Sequence, residues 1–229
     1  VRAYDPEHFE SLFQGRPKGR GGSFFKLEWF LSEKDGRDQY VDMVPRNIGT
    51  IERCRYWDRA ASAKRGDFTA GVLMAKIGSR YYIEDVRFGQ WEPGERDQVI
   101  RDTAADDSQL GYVKIVGEQE PGSSGVDVTK AFVTMLDGFD AEGKTNTGDK
   151  ETRAYNLASQ ARAGNVYIVR GAWNKRLMNE FTSFPKGKHD DIVDAASGAH
   201  NVLRSNVASV IKLRSPTSGW YGRRASRVG

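Results

Sequence analysis

An α/β fold built on a mixed sheet is the architecture this sequence predicts, and three observations predict it. Strand-like stretches between residues 50 and 91 are joined by a basic loop and a two-residue hairpin turn, as in an antiparallel meander. Strand-like runs after residue 113 alternate with helical ones, and the last helical stretch carries a wide apolar stripe. Antiparallel strands followed by β-α units suit a mixed sheet flanked by helices. With 229 residues, 38% hydrophobic and 29% charged, the chain is long enough for one substantial core. No apolar run approaches membrane-spanning length, and the opening residues do not read as a signal peptide. A single cysteine, Cys54, excludes an internal disulfide and a Cys-based zinc site and points to a reducing cytosol. The net charge of +4 permits nucleic acid as a partner without proving it.

Residues 1–49 read as a lead-in or linker. A short helix is expected over Pro6 to Leu12, then a Gly- and Arg-rich loop from Gln14 to Gly22, then the aromatic stretch Phe24-Phe25-Lys26-Leu27-Glu28-Trp29-Phe30. Those aromatics are expected to pack on the domain's own sheet or against a neighbouring domain. The first strand ends at Cys54-Arg55-Tyr56-Trp57-Asp58, and the basic loop from Arg59 to Asp67 follows it. Phe68 to Ile77 and Arg80 to Trp91 read as the next two strands, joined by the hairpin turn Gly78-Ser79. Pro93 opens a helix reaching about Asp107. Val113 to Glu120 reads as a fourth strand, turned by Pro121 to Gly125 into a helix from about Val126 to Phe139. Ala141 to Lys150 reads as a polar loop. A helix from Glu151 to Ala163 is closed by Gly164-Asn165, Val166 to Arg170 is a short strand, and Ala172 to Phe184 is an amphipathic helix stopped by Pro185. From Arg204 to Gly229 there are six Lys or Arg residues and no acid, so residues 205–229 read as a basic tail.

The last helix begins near His189, where a histidine and three carboxylates fall within six residues. Carboxylates this close repel one another unless solvent, basic partners or a metal offsets their charge. At about 100° per residue, Ile192, Ala195, Ala196, Ala199 and Leu203 form one apolar stripe. Asp190 and Asp194 then point away from the core, and Asp191 lies at the edge of the stripe. On its own such a cluster reads as an acidic helix start that favours the helix dipole.

Other acids change that reading. Asp58 ends the first strand, Glu120 ends the fourth with Glu118 on the same face, and Asp191 opens the last helix. If the first and fourth strands are neighbours, the three acids meet as an oxygen site for Mg²⁺ or Mn²⁺. Two such ions roughly 4 Å apart can activate water and stabilise the leaving oxygen of a phosphodiester. Arg59, Lys64 and Arg65 beside the first acid, with Lys144, Lys150 and Arg153 in or beside the late loop, then form a phosphate-holding surface with little sequence specificity. Trp57 and Trp173 are expected to fill core.

The ordered motifs Tyr56-Trp57-Asp58, Asp67-Phe68-Thr69-Ala70, Glu118-Gln119-Glu120-Pro121-Gly122-Ser123-Ser124-Gly125, Gly148-Asp149-Lys150-Glu151-Thr152-Arg153-Ala154 and Phe184-Pro185-x-Gly187-x-His189-Asp190-Asp191-x-x-Asp194-Ala195 resemble the nuclease domain of a tailed-phage large terminase subunit. The lead-in Leu12-Phe13-Gln14-Gly15-Arg16-Pro17 and Gly22 to Trp29 resembles the segment that joins motor to nuclease in that family. The resemblance covers roughly residues 12–203. It implies a ribonuclease H-like fold over residues 50–204, two-metal cleavage of double-stranded concatemeric DNA, and coupling to a packaging ATPase, a portal protein and a small terminase subunit in the host-cell cytoplasm.

Carried across, the family's metal acids fall on Asp58, Glu120 and Asp191, with Asp194 a further ligand or an outer-sphere base. Glu118, Asp190 and His189 stand behind them as supporting residues. No Walker motif occurs, so the ATPase half is expected to lie elsewhere in a longer protein. Two rival readings are a junction resolvase or integrase-like nuclease and a catalytically silent module that docks DNA or a portal.

Overall fold

The computed structural model describes residues 24–34, 36–60, 68–119, 122–145 and 148–212. The expected helix from Pro6 to Leu12, the loop cations Lys64 and Arg65, the acid Glu120 and the tail beyond Lys212 lie outside the described residues. The strands are β1 (Leu31–Ser32), β2 (Arg37–Asp38), β3 (Tyr40–Val41), β4 (Glu52–Asp58), β5 (Thr69–Ile77), β6 (Arg80–Gly89), β7 (Lys114–Gln119), β8 (Ala141–Thr145) and β9 (Val166–Val169). The helices are α1 (Pro93–Ser108), α2 (Ser123–Met135), α3 (Lys150–Arg162), α4 (Asn174–Ser183) and α5 (Asp191–Lys212). Strands β1 and β2 pair with each other, while the main sheet runs β3-β9-β6-β5-β4-β7-β8.

The meander forms as expected. Strands β4 and β5 pair antiparallel from Glu52 and Lys76 to Asp58 and Ala70, and β6 returns antiparallel against β5. At the hairpin turn, Gly78 adopts φ 59 and Ser79 does not share its sign, the arrangement of a II′ turn that suits the twist of the flanking strands. Every residue of β5 is buried: Ala70, Val72 and Met74 lie in the larger cluster below α5, while Ala75 and Ile77 on the opposite face pack with Val44 and Tyr82. Lys76 accepts that burial by sending its ammonium to the Leu203 carbonyl at 3.0 Å.

After the meander the pairing turns parallel. Strand β7 lies beside β4, with Cys54 opposite Lys114 and Trp57 opposite Gly117, so the first and fourth predicted strands are neighbours. One expectation needs correcting: Ala141 to Thr145 is strand β8, parallel to β7, and not loop. Its glycine misled because Gly143 serves packing. A Cβ there would stand 2.0 Å from Thr129 Cγ2 on α2, so only glycine lets the edge strand lie under the helix.

Alternation along β4 divides the core. Cys54 and Tyr56 belong to the larger cluster with α3, α4 and α5, while Trp57 joins Ile100, Ile115 and Phe132 of the smaller one below α1 and α2. Helix α5 packs on β4 and β5 so closely that a Cβ on Gly198 would fall 2.5 Å from the Tyr56 ring. The predicted stripe of Ile192, Ala195, Ala196, Ala199 and Leu203 is buried. The stripe is too narrow a description, however, since every residue from Ile192 to His200 is buried. The sheet takes one side of α5 and α3 covers another. Asp194 therefore points inward, against the expectation that it faces away from the core.

The aromatic lead-in packs onto a helix. Phe25 stacks on Phe181 of α4 with centroids 4.4 Å apart, and Phe24 meets Phe184 edge-on at 5.3 Å. Further along, β3 extends the main sheet beside β9. Trp57 is core as expected, and Trp173 is partly buried against the larger cluster. Among the described residues no helix is long and apolar enough to cross a membrane.

His200 lies inside α5 with its ring 4.5 Å from that of Tyr81. Burial pushes its pKa down to about 4 from 6.5, helped by the charges of Lys76 and Arg204. A histidine held neutral in the fold binds a proton more readily when unfolded, so its contribution is complete above about pH 6.5 and drains as pH falls towards 4. Urea unfolding at pH 7 and pH 5 should show His200→Leu losing less stability on acidification than the parent. Equal losses would show that His200 does not set this dependence.

Candidate metal centre

The site grows from the C-terminal ends of neighbouring parallel strands, where ligands settle in open α/β sheets. Asp58 is the last residue of β4 and shares the face of Cys54 and Tyr56 that looks at α5. One step past the Trp57 and Gly117 pair, the register puts Glu118 of β7 beside it. Glu118 in turn pairs with Lys144 of β8. On the other side Asp58 pairs with Ala70, and Ala70 with Phe88. One row across the sheet therefore reads Phe88, Ala70, Asp58, Glu118, Lys144.

Helix α5 brings its acids to this row. Burial pushes the Asp58 carboxyl well above the usual carboxylate range, and the neighbouring charges of Glu118, Asp194 and Asp191 push it further, opposed by Lys150. Asp191, the first residue of α5, is raised mainly by burial and also by Asp190, with His189 and Lys150 opposing. Sequence reasoning put Asp58 and Asp191 in one place, and the fold brings them within electrostatic reach of each other. The acid brought beside Asp58 is Glu118, one of whose oxygens, Oε2, is buried without a hydrogen-bond partner among the described residues.

The nearby cations serve the acids. Lys150 Nζ stands 2.8 Å from Asp190 Oδ1 and 3.1 Å from Asp194 Oδ2, and Arg153 Nη2 stands 3.0 Å from Asp194 Oδ1. Burial alone would lower the Lys150 pKa, but the two carboxylates override it and hold it above its ordinary value. Asp149 presents both cations by capping α3, its Oδ1 accepting from the Thr152 amide at 2.7 Å. Asp190 is therefore not left to solvent. Arg59 donates to the Glu118 carbonyl at 3.2 Å and lies 4.5 Å over the Phe132 ring. His189 Nδ1 is 3.9 Å from Asp191 Oδ2, and its ring meets Phe68 edge-on at 4.9 Å.

Asp58, Glu118, Asp190, Asp191 and Asp194 thus face Lys150 and Arg153, leaving an excess of negative charge. An all-carboxylate donor set with an orphaned buried oxygen fits a hard divalent cation such as Mg²⁺ or Mn²⁺. As they stand, no three acids among the described residues converge closely enough to hold an ion. Asp194 has both oxygens engaged by cations.

Sequence reasoning missed Glu180 of α4. It is 3% exposed and lies among the inward residues Leu177, Met178 and Phe181, where an acid needs partners. That pattern was its only signal. Burial raises its pKa, while the Ile192 amide and Arg176 pull it back.

A family profile described as Terminase RNaseH-like domain matches residues 55–203. No curated protein matches the sequence. Among solved structures, the large terminase nuclease of thermophilic phage G20c with bound magnesium shares 15% identity at a TM-score of 0.54, covering 80% of this chain and 98% of that one. The human cytomegalovirus terminase nuclease domain, soaked in manganese with an inhibitor bound, shares 11% identity at a TM-score of 0.53, covering 70% of this chain and 85% of that one. The large terminase of another thermophilic bacteriophage shares 14% identity at a TM-score of 0.52, covering 72% of this chain but 43% of that longer one. At such identities the shared property is the fold, a mixed sheet flanked by helices. With the profile spanning well over half of its length, the chain belongs to the terminase ribonuclease H-like domain family, whose fold it shares with the nuclease domains of viral large terminases.

Proposed function

We propose that this domain is a Mg²⁺- or Mn²⁺-dependent endodeoxyribonuclease that cuts double-stranded concatemeric viral DNA during genome packaging. The observation that carries the reading is that Asp58, at the end of β4, has Glu118 beside it in the sheet and Asp191 of the α5 start within electrostatic reach. Magnesium bound to the G20c nuclease and manganese soaked into the cytomegalovirus nuclease support a divalent metal here. Two such ions, when bound, would supply an activated water and stabilise the leaving oxygen.

The residues divide the work. Asp58 would hold the divalent metal. Glu118, which follows the Trp57 and Gly117 pair, is taken as the second acid, with Glu120, outside the described residues, as the alternative. Asp191 closes the site from α5. Asp194 is engaged by Lys150 and Arg153 and serves as the outer acid that locks α3 to α5. Lys144, at the end of the row, would meet a phosphate, and Lys64 and Arg65, outside the described residues, take the same role from the sequence alone. His189 orients Asp191. Within the packaging assembly the domain would work beside the ATPase domain, portal protein and small terminase subunit in the host-cell cytoplasm.

Plasmid nicking with Mg²⁺ or Mn²⁺, against an excess of chelator, tests the reading directly. Linear duplex should be cut at least as fast as a four-way junction, and faster cutting of the junction would favour a resolvase. Glu118→Gln and Glu120→Gln, compared in the same assay and by calorimetric titration with Mn²⁺, decide the second acid: the true ligand loses both metal uptake and cleavage. Neither uptake nor cleavage by the parent at millimolar Mn²⁺ would leave only a silent docking module.

A further inference from the structure

We propose that Glu180 is a positioning residue for the acid site: its carboxylate caps the first turn of α5 and so sets where Asp191 stands. The inference rests on the metal reading above and deepens it. Helix α5 opens with Asp191, and its first backbone bond runs from the Asp194 amide to the Asp190 carbonyl at 2.9 Å. The amides of the preceding turn have no partner within the helix and must find one elsewhere. Asp190 is the residue whose side chain would ordinarily cap them. Its carboxylate is drawn instead to Lys150, at 2.8 Å.

Glu180 fills the role that Asp190 leaves. Its Oε2 accepts from the Ile192 amide at 3.0 Å, although the two residues belong to different helices. The carboxylate is itself fixed, since Oε1 accepts from Arg176 Nε at 2.8 Å. Arg176 is held in turn by aromatic rings, its guanidinium lying 4.3 Å over Phe88 and 5.4 Å over Phe68. Phe68 and Phe88 stack at 4.4 Å, and Phe68 carries His189 against its edge. Phe88 stands in the same row of the sheet as Asp58.

A continuous set of contacts therefore runs from the sheet row that bears Asp58, through Phe88, Arg176 and Glu180, to the amide next to Asp191. An acid placed beside other acids raises the local repulsion, so Glu180 is tolerated for the bonds it makes. Without it the start of α5 would keep its packing from Ile192 onward but lose the bond that fixes the turn bearing Asp191.

Two readouts on the whole chain separate positioning from simple stability. In the metal-free protein, Glu180→Ala should speed exchange of the Ile192 amide by roughly tenfold or more, while amides later in α5 change little. Titration with Mn²⁺ should show binding weakened by roughly tenfold, a loss typical of removing a partner behind metal ligands. Glu180→Gln keeps an oxygen for the amide and should restore both towards the parent. Circular dichroism gives the folded fraction by which each value is corrected. Parent-like Mn²⁺ binding by Glu180→Ala, or an unchanged Ile192 exchange rate, would overturn the proposal alone. A parent that takes up no Mn²⁺ would overturn the metal reading and this proposal with it.

Discussion

Asp58→Asn is expected to abolish DNA cleavage while making the metal-free protein more stable. The carboxyl sits at the end of β4 with its pKa pushed up by burial and by Glu118, Asp194 and Asp191, so ionising it costs more in the fold than in the unfolded chain. Asparagine keeps the shape and removes the charge. In the proposed metal-holding role, losing Asp58 would forfeit several kcal/mol of transition-state stabilisation, about a thousandfold or more in rate. Relief of repulsion at a strained functional site commonly returns about 1–2 kcal/mol. For a chain of this size each kcal/mol moves the melting temperature by roughly 2–4 °C. Plasmid nicking and calorimetric melting without divalent ion measure the two effects. Cutting at the parental rate would remove Asp58 from the site, and a lowered melting temperature would show that its charge supports the fold.

Asp107→Ala should be among the most destabilising single changes in the chain, and it lies away from the metal centre. Arg55 of β4 is 1% exposed on the sheet face opposite Asp58. Its Nε and Nη2 each stand 2.7 Å from an Asp107 oxygen, in a two-pronged pair at the end of α1. Nη2 also reaches Asp85 at 2.9 Å, and Nη1 donates to the Gly71 carbonyl at 3.1 Å. Removing Asp107 strands much of a buried guanidinium, for which the expected cost is about 3–5 kcal/mol, nearer the lower figure because Asp85 remains. Equilibrium urea unfolding measures it. Arg55→Met combined with Asp107→Leu should recover most of the loss, because the apolar pair leaves no buried charge. A cost below about 1 kcal/mol for Asp107→Ala would show that water reaches the guanidinium.

The sequence carried the local half of this fold with little ambiguity. Strand-like runs bounded by loop and turn residues marked β4 through β7, the glycine of the hairpin turn marked the reversal between β5 and β6, and the three-to-four-residue spacing of Ile192, Ala195, Ala196 and Ala199 marked α5. Each signal is written in residues near one another along the chain. The failure at β8 shows the boundary of that logic. Ala141 to Thr145 has a polar strand with a glycine at its centre, and its pairing with β7 depends on the space beneath α2, which no local pattern records.

The candidate site divides the same way. Asp58 and Asp191 were legible because each ends or begins an element, and ordered motifs carried the resemblance from Tyr56 to Ala195. Which acid stands beside Asp58 was not legible, because strand alternation expected from the sequence puts Glu118 and Glu120 on one face and leaves the register open. That register is set by pairing with a strand more than fifty residues away, which puts Glu118 there. Lys150 and Arg153 looked like cations for DNA by composition, and only the packing of α3 on α5 turned them towards Asp190 and Asp194. Glu180 was silent because its partners are an amide twelve residues on and an arginine held by aromatic rings. By itself the sequence determined which elements exist and which residues bear charge at their ends. The tertiary structure decided which of those charges meet, because strand register and helix docking are settled by non-local packing, to which local periodicity is blind.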